Sequence, residues 1–486
     1  MSQAAPFRSA YEGMQVLVMG LGLHGGGVAS VRYLACQGAA ITVTDLQDEK
    51  TLAPSLEQLR DISGIRYVLG HHDQADFKHA DMVIKNPGVR PDNFFLTLSQ
   101  RIETDISLFL AHFPARLIAV TGSKGKSSTA AALYWALKAA RTQGLLPGKA
   151  YLGGNSNGSP LEFAAAVQAE DDVVLELSSW QLGDLQGRVH EGGMPLLKPR
   201  AAVCTALLPD HLDRYGTMEA YIADKRVLYQ GQDSQDVTVA ADDPWGRSFL
   251  AETQGRPLAY GEKSLPDEQA GGWLTGPQGP GLARLAGAPP VVVVPPRLLI
   301  PGYHQKKNLL AAALALLDLG LSADFIRDTL GTFPGIEHRL ELFHEARGIR
   351  FYNDTAATIP EAAAAAVEAF AKPDLFHAPV VLVTGGTDKN LDFTPLAKAA
   401  VQAKEVILLV GTGSDKLKIL LDEAACSYRG PFDAVDTAVM ASLDAARCGD
   451  VVVFSPGCAS FGMFLNEFHR GRQWKEAVCR LAGGAA

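Results

Sequence analysis

No stretch of this chain approaches 18 uninterrupted apolar residues, so the sequence predicts no membrane-spanning helix. Cysteine is sparse: Cys36, Cys204, Cys426, Cys448, Cys458 and Cys479 are scattered over 486 residues with no C-x-x-C pair. Such spacing points to buried thiols in a reducing compartment rather than to disulfides. An excess of basic residues is also missing, with 44 Lys and Arg against 53 Asp and Glu and a net charge of −9. Neither a nucleic-acid footprint nor a membrane-surface patch is therefore expected. The opening Met1-Ser-Gln-Ala-Ala-Pro-Phe-Arg8 lacks the basic-then-apolar build of a signal peptide, so a cytoplasmic location is expected. With 47% hydrophobic and 20% charged residues, the composition is that of a globular protein, and the length suits about three domains.

Glycine, by contrast, is placed where it carries chemistry. The most informative segment is Val120-Thr-Gly-Ser-Lys-Gly-Lys-Ser-Ser-Thr129. It follows an apolar run, Arg116–Val120, that reads as a buried strand, and it precedes a helical run, Ala130–Lys138. A Gly/Ser turn between strand and helix aims backbone N–H groups and the helix dipole at an anion. Gly122, Ser123, Lys124, Gly125 and Ser128 form the cradle. Lys126 reaches a terminal phosphate, and the Ser127 hydroxyl is placed for magnesium. The pattern departs from G-x-x-x-x-G-K-[ST] at its first position, where valine stands for glycine.

A second glycine loop opens the chain. The strand Gln15–Met19 runs into Gly20-Leu-Gly22-Leu-His-Gly25 and a helix to about Gly38. A strand from Ala40 then ends at Asp45, twenty residues after Gly25. Strand, glycine loop, helix and acid together read as a Rossmann-like βαβ unit. Further on, Asp172-Val-Val-Leu-Glu-Leu-Ser-Ser-Trp-Gln-Leu182 is an apolar strand carrying Glu176, an acid that is costly to bury unless paired or metal-bound. Residues 264–296 are rich in Gly and Pro and read as a surface hairpin or loop outside the chemistry. The last third alternates strand and helix again, with strands from Ile349, Val380, Glu405 and Asp450, a second doubly wound unit.

The phosphate loop resembles the ATP loop of the Mur ligase family, usually T-G-T-N-G-K-[ST], and further blocks agree in order. Gly153-Gly-Asn155 resembles G-G-N. Glu176–Leu182 resembles E-L-S-S-[FW]-Q-L, and Asp210-His-Leu-Asp-Arg-Tyr215 resembles D-H-[LM]-D-R-[YH]. Lys225 falls fourteen residues after His211. Pro301-Gly-Tyr-His-Gln-Lys-Lys-Asn308 resembles the G-x-H-N-x-x-N block with Gln305 for its first Asn, Glu337-His-Arg339 the [PE]-H-R block, and Asn86-Pro-Gly88 the S-P-G block with Asn86 for serine. Asn353–Thr358, Gly385–Lys389 and Ser455–Ser460 resemble N-D-x-x-A-T, G-G-x-x-K and S-P-x-x-[AS]-S. The resemblance covers roughly residues 14–475.

It implies an α/β protein of three domains. These are a Rossmann-like UDP-substrate domain over 1–113, a P-loop-type ATP domain over 114–336, and a Rossmann-like domain over 337–486 that binds glutamate and closes over ATP. It also implies an ATP-dependent amide-forming ligase that adds glutamate to UDP-N-acetylmuramoyl-L-alanine through an acyl phosphate, in peptidoglycan precursor synthesis. Leu23, His24, Asp45, Asn86, Gly88, Asn155 and Ser178 would face the UDP-linked substrate. Asn308, Arg339 and Asp354 would join the phosphate loop on ATP, while Thr358, Lys389 and Ser460 would hold glutamate. Two Mg2+ sites are implied, one on Ser127 and Glu176 and the other on His211 and a carbamylated Lys225. Lys126, Glu176, His211, Lys225 and Lys389 are the catalytic set.

D-glutamate is expected, with L-glutamate as the alternative, because the pocket departs from the family at Ala356, where lysine is usual, and at Phe461-Gly-Met-Phe464. A folylpolyglutamate synthase shares the ATP loop but has no Rossmann domain before it. An NAD-binding or nucleotide-binding sensor would have no use for Glu176, His211 and Lys225. A monomer is expected.

Overall fold

The computed structural model describes residues 10–113, 115–285, 287–371 and 378–483. Residues 1–9, on which the signal-peptide expectation rests, lie outside the described residues. The chain divides into two compact units, the first running to Tyr260 with 268–271 and 314–321, the second comprising 261–267, 272–313 and 322–486.

The first unit holds two parallel sheets. One contains β1 (Gln15–Met19), β2 (Ala40–Asp45), β3 (Arg66–Leu69), β4 (Met82–Lys85) and β5 (Ile102–Glu103), in the order β3-β2-β1-β4-β5. The other contains β6 (Arg116–Thr121), β7 (Ala150–Gly153), β8 (Asp172–Glu176), β9 (Ala201–Cys204), β10 (Val237–Ala241) and β11 (Arg256–Gly261), in the order β11-β10-β9-β6-β8-β7. Parallel strands covered on both faces read as continuous apolar runs. β6, β8 and β9 obey this: Ile118, Ala119, Val120, Val174, Leu175, Ala202 and Val203 are fully enclosed.

In such sheets ligands gather beyond the carboxyl ends of the strands, at the point where the strand order reverses. For the first sheet that point lies between β1 and β4, hence between the Gly20–Gly25 and Asn86–Gly88 loops. For the second it lies at β6, flanked by β8 and β9.

The second unit carries β15 (Glu341–Ala346), β16 (Ile349–Asn353), β17 (Val380–Thr384), β18 (Glu405–Leu409), β19 (Tyr428–Phe432) and β20 (Val451–Phe454), in the order β15-β16-β20-β17-β18-β19. All pairs are parallel except β15 with β16. The adjacent parallel strands β16, β20 and β17 release Asp354–Thr358, Ser455–Ser460 and Gly385–Lys389 from their carboxyl ends, on one side of the sheet.

Three expectations are corrected. The Gly/Pro-rich stretch, expected as a surface hairpin or loop, does hold an antiparallel hairpin of β13 (Gly281–Arg284) and β14 (Val291–Val294) beside β12 (Gly271–Leu274), but it is not confined to the surface, since Trp273, Leu274, Ala283, Val293 and Val294 are buried. The phosphate-loop helix begins earlier than Ala130, running Lys126–Thr142 with Gly125 as its left-handed N-cap, so Lys126 and Ser127 occupy its first turn. All six cysteines are free thiols, but Cys36 and Cys448 are exposed; only Cys204 and Cys458 are buried.

Candidate active site

The phosphate loop turns on a glycine that a side chain cannot replace in place. Gly122 has φ +148, and a Cβ there would overlap Thr205 Oγ1. Thr205 in turn donates its hydroxyl to Lys124 O at 2.6 Å, while its backbone N–H donates to Thr121 O at 2.8 Å, stapling the loop to the end of β9. Ser123 Oγ donates to Leu208 O at 2.8 Å. Lys126 Nζ donates to Gly122 O at 2.9 Å and Ser123 O at 3.2 Å, so the ammonium is folded over the cradle. Burial pulls its pKa below the ordinary lysine value, with the Glu176 charge opposing the shift. Lys124 is exposed, 3.9 Å from Asp210.

β8 lies beside β6 with Glu176 in register with Val120. Glu176 is fully enclosed, and three side chains satisfy its carboxylate. Ser127 Oγ donates to Oε1 at 3.1 Å, Asn155 Nδ2 to Oε1 at 2.7 Å, and Asn157 Nδ2 to Oε2 at 2.7 Å. A carboxylate and a hydroxyl meeting beside a phosphate cradle form the hard-oxygen donor set that magnesium takes. Asn157 was not anticipated from the sequence; the G-G-N block pointed only as far as Asn155.

Lys225 lies on the helix Met218–Gln230 and is 1% exposed. Its amine reaches Gly122 O at 3.0 Å and Thr121 Oγ1 at 3.3 Å, and sits 4.6 Å from the Tyr221 ring centroid. Burial, reinforced by the like charge of Lys126, lowers its pKa to about 7. His211 has φ 52 and is half-exposed, its ring 5.1 Å from Trp180 and 6.4 Å from Tyr221. Ser178 caps the helix Ser179–Gly183 in a capping box with Gln181.

In the first sheet, Leu23 and His24 are exposed on the glycine loop. Asp45 is buried, and its carboxylate accepts from Gly22 N at 3.1 Å and Gln47 N at 2.9 Å, so it shapes the loop as well as facing it. The Asn86 amide donates to Gly20 O at 3.2 Å, and its oxygen accepts from Gly88 N at 3.0 Å. One side chain thus ties the two loops of the switch point together.

In the second unit, Asp354 joins two segments. Oδ1 accepts from Leu340 N at 3.1 Å, and Oδ2 accepts from the Ser455 hydroxyl at 2.6 Å. Burial pushes its pKa up to about 7. Arg339 and Lys389 are exposed, Thr358 is half-buried, and Ser460 is buried. Asn308 lies within the helix Tyr303–Asp318, which starts earlier than the expected Leu309; its Nδ2 meets Gln305 Oε1 at 3.2 Å.

Arg470, from the helix Glu467–Ala482, was not anticipated. Its guanidinium donates to Thr355 Oγ1 and O at 3.0 and 2.9 Å and to Cys458 O at 3.0 Å, clamping the Asp354–Thr358 and Ser455–Ser460 loops. Only the fold reveals this, because Thr355 lies more than a hundred residues before Cys458 and Arg470 in the chain. Glu337, His338 and Glu341 also cluster, but Lys475 pairs with Glu341 at 2.6 Å and Glu337 at 3.4 Å, so the group is a satisfied ion-pair network.

Family models match most of the chain. The Mur ligase MurD-like N-terminal domain matches residues 14–107, the Mur ligase middle domain 120–316, and the Mur ligase glutamate ligase domain 338–458. This chain belongs to the Mur ligase family. The UDP-N-acetylmuramoylalanine–D-glutamate ligase of Treponema pallidum is 40% identical, with 97% of this chain and 98% of that protein covered. The enzyme of the same name from Roseiflexus is also 40% identical, covering 96% and 98%. Among solved structures, the UDP-N-acetylmuramate–alanine ligase MurC of Thermotoga maritima shares the fold at 18% identity, with a TM-score of 0.54 over 95% of this chain and 98% of that one.

Proposed function

We propose that this chain is the ATP-dependent ligase that joins D-glutamate to UDP-N-acetylmuramoyl-L-alanine in peptidoglycan precursor synthesis. Near-full-length identity of 40% to two enzymes of that name supports the reading. The observation that carries it is the convergence of Lys126, Ser127 and Glu176 on one phosphate cradle at the switch point of the second sheet. The three family-model segments support a division into domains 1–113, 114–336 and 337–486.

The chemistry is that of a carboxyl group activated as an acyl phosphate and then attacked by an amine. ATP supplies the phosphoryl group, and magnesium, when bound, neutralises phosphate charge. The loop from Gly122 to Ser128 orients the phosphates with backbone N–H groups and the first turn of a helix. Lys126 places its charge over developing phosphate oxygens. Ser127, Glu176, His211 and a carbamylated Lys225 are assigned as the metal-holding side chains. Carbamylation fits a buried amine near neutrality: R–NH2 adds CO2 to give R–NH–COO− and a proton, turning a repelling cation into an anion.

Leu23, His24, Asp45, Asn86, Gly88, Asn155 and Ser178 are assigned to the UDP-linked substrate, Asn308, Arg339 and Asp354 to ATP, and Thr358, Lys389 and Ser460 to glutamate. Six free thiols support a cytoplasmic setting. The deciding experiment is phosphate release from ATP. It should require both UDP-N-acetylmuramoyl-L-alanine and D-glutamate; release that ignores either one refutes the assignment.

A further inference from the structure

Lys85 ends an apolar strand yet is only 3% exposed, and its ion-pair partner Asp184 is 6% exposed, with Nζ 2.8 Å from Oδ2. The same nitrogen donates to Val89 O at 2.9 Å and reaches Asn86 O at 3.4 Å, gripping both ends of the turn that holds Asn86 and Gly88. Asn86 then passes the geometry of that turn on to Gly20. On the other side, Asp184 is the C-cap of the helix Ser179–Gly183, which follows the strand ending at Glu176. A second tie links that helix to the same turn through a third segment: the guanidinium of Arg214, on the helix Leu212–Tyr215, lies 4.1 Å over the Trp180 ring and 3.5 Å from Gly88 O.

Buried ion pairs contribute little net stability compared with well-packed apolar residues, because desolvation offsets the attraction. What an apolar pair could not do is bridge the carbonyls of the turn. We propose that Lys85 is a positioning residue for the UDP-linked substrate, using Asp184 as its anchor to hold the Asn86–Val89 turn in register with the helix that follows Glu176. The proposal rests on the reading that this turn faces that substrate.

The test is the double variant K85M/D184L, which removes the pair without leaving a buried charge, with K85R as the conservative variant. KM for UDP-N-acetylmuramoyl-L-alanine should rise about tenfold or more, while kcat and KM for ATP stay within about twofold and Tm within a few degrees. K85R should recover part of the loss. An unchanged KM for the UDP-linked substrate overturns the proposal. So does a parallel change in all three constants with a lowered Tm, which is what a merely structural pair would give. Wild-type enzyme run alongside separates the two levels: phosphate release independent of the UDP-linked substrate would strike the functional reading itself.

Discussion

The Ser127 hydroxyl donates to Glu176 Oε1 across 3.1 Å, joining the first turn of a helix to the last residue of a neighbouring strand. Parallel pairing places Val120 opposite Glu176, so the phosphate loop leaving β6 and the acid ending β8 meet with no intervening loop to order. A site built on strand ends in this way is held by the sheet itself.

Replacing Lys126 with alanine should remove ATP turnover and leave the fold intact. Of the amine's two partners, Gly122 O keeps the bond from Lys225 Nζ at 3.0 Å, so the loop retains a donor there. The loss falls on developing phosphate charge, where such contacts are worth several kcal/mol. Circular dichroism and phosphate release together check this. Activity above about a tenth of wild type would contradict the role.

Lys225→Ala should be nearly inactive, with partial recovery in short carboxylates such as acetate, which fit where a carbamate would lie. Truncation would open space beside Thr121 Oγ1 and the Tyr221 ring, which contact the amine in the intact protein. A crystal structure with magnesium present and a bare ammonium at Lys225 would refute the modification, since that arrangement repels.

Asp354 makes stability depend on pH. Its folded pKa is about 7 against an ordinary 3.8, because burial disfavours the charge. A carboxyl raised in this way adds stability that is complete below the unfolded value and is lost as pH rises through the folded one. Asp354→Asn stays neutral throughout. Its Tm relative to wild type should therefore improve from pH 4 to pH 8, and thermal melts showing a constant difference would contradict the shift.

The amino-acid pocket should accept D-glutamate and reject L-glutamate, D-aspartate and L-alanine supplied with UDP-N-acetylmuramoyl-L-alanine. Ser460→Ala should raise KM for glutamate more than KM for ATP. Efficient turnover with L-glutamate and none with D-glutamate would reverse the stereochemical assignment and spare the ligase mechanism.

Much of this was legible in the chain because its chemistry is local. The phosphate loop, Glu176 at a strand end and Asp45 after the second strand all lie in segments where turn residues and apolar runs fix the geometry within a few positions. β15 and β19 were not anticipated. Glu341–Ala346 mixes polar and apolar residues, and Tyr428–Phe432 contains Gly430 and Pro431, so each becomes a strand only by pairing at an edge of the sheet. The hairpin of β13 and β14 was legible as one alternative from its glycines and prolines, but the burial of Ala283, Val293 and Val294 was not. Arg470, Asn157 and the Lys85–Asp184 pair were invisible for a different reason: their partners are set by tertiary contact, and sequence spacing carries no trace of it.

The crowding of Gly122 against Thr205 has an evolutionary consequence. Any side chain at 122 collides with the hydroxyl that staples the loop, and trimming Thr205 to make room releases that staple. A side chain at 122 is therefore compatible only with loss of the Thr205 hydroxyl, and that loss costs the staple. A compound that drew its affinity from the backbone of this loop would face few escape routes by point mutation, because the residues able to exclude it are those the enzyme cannot exchange.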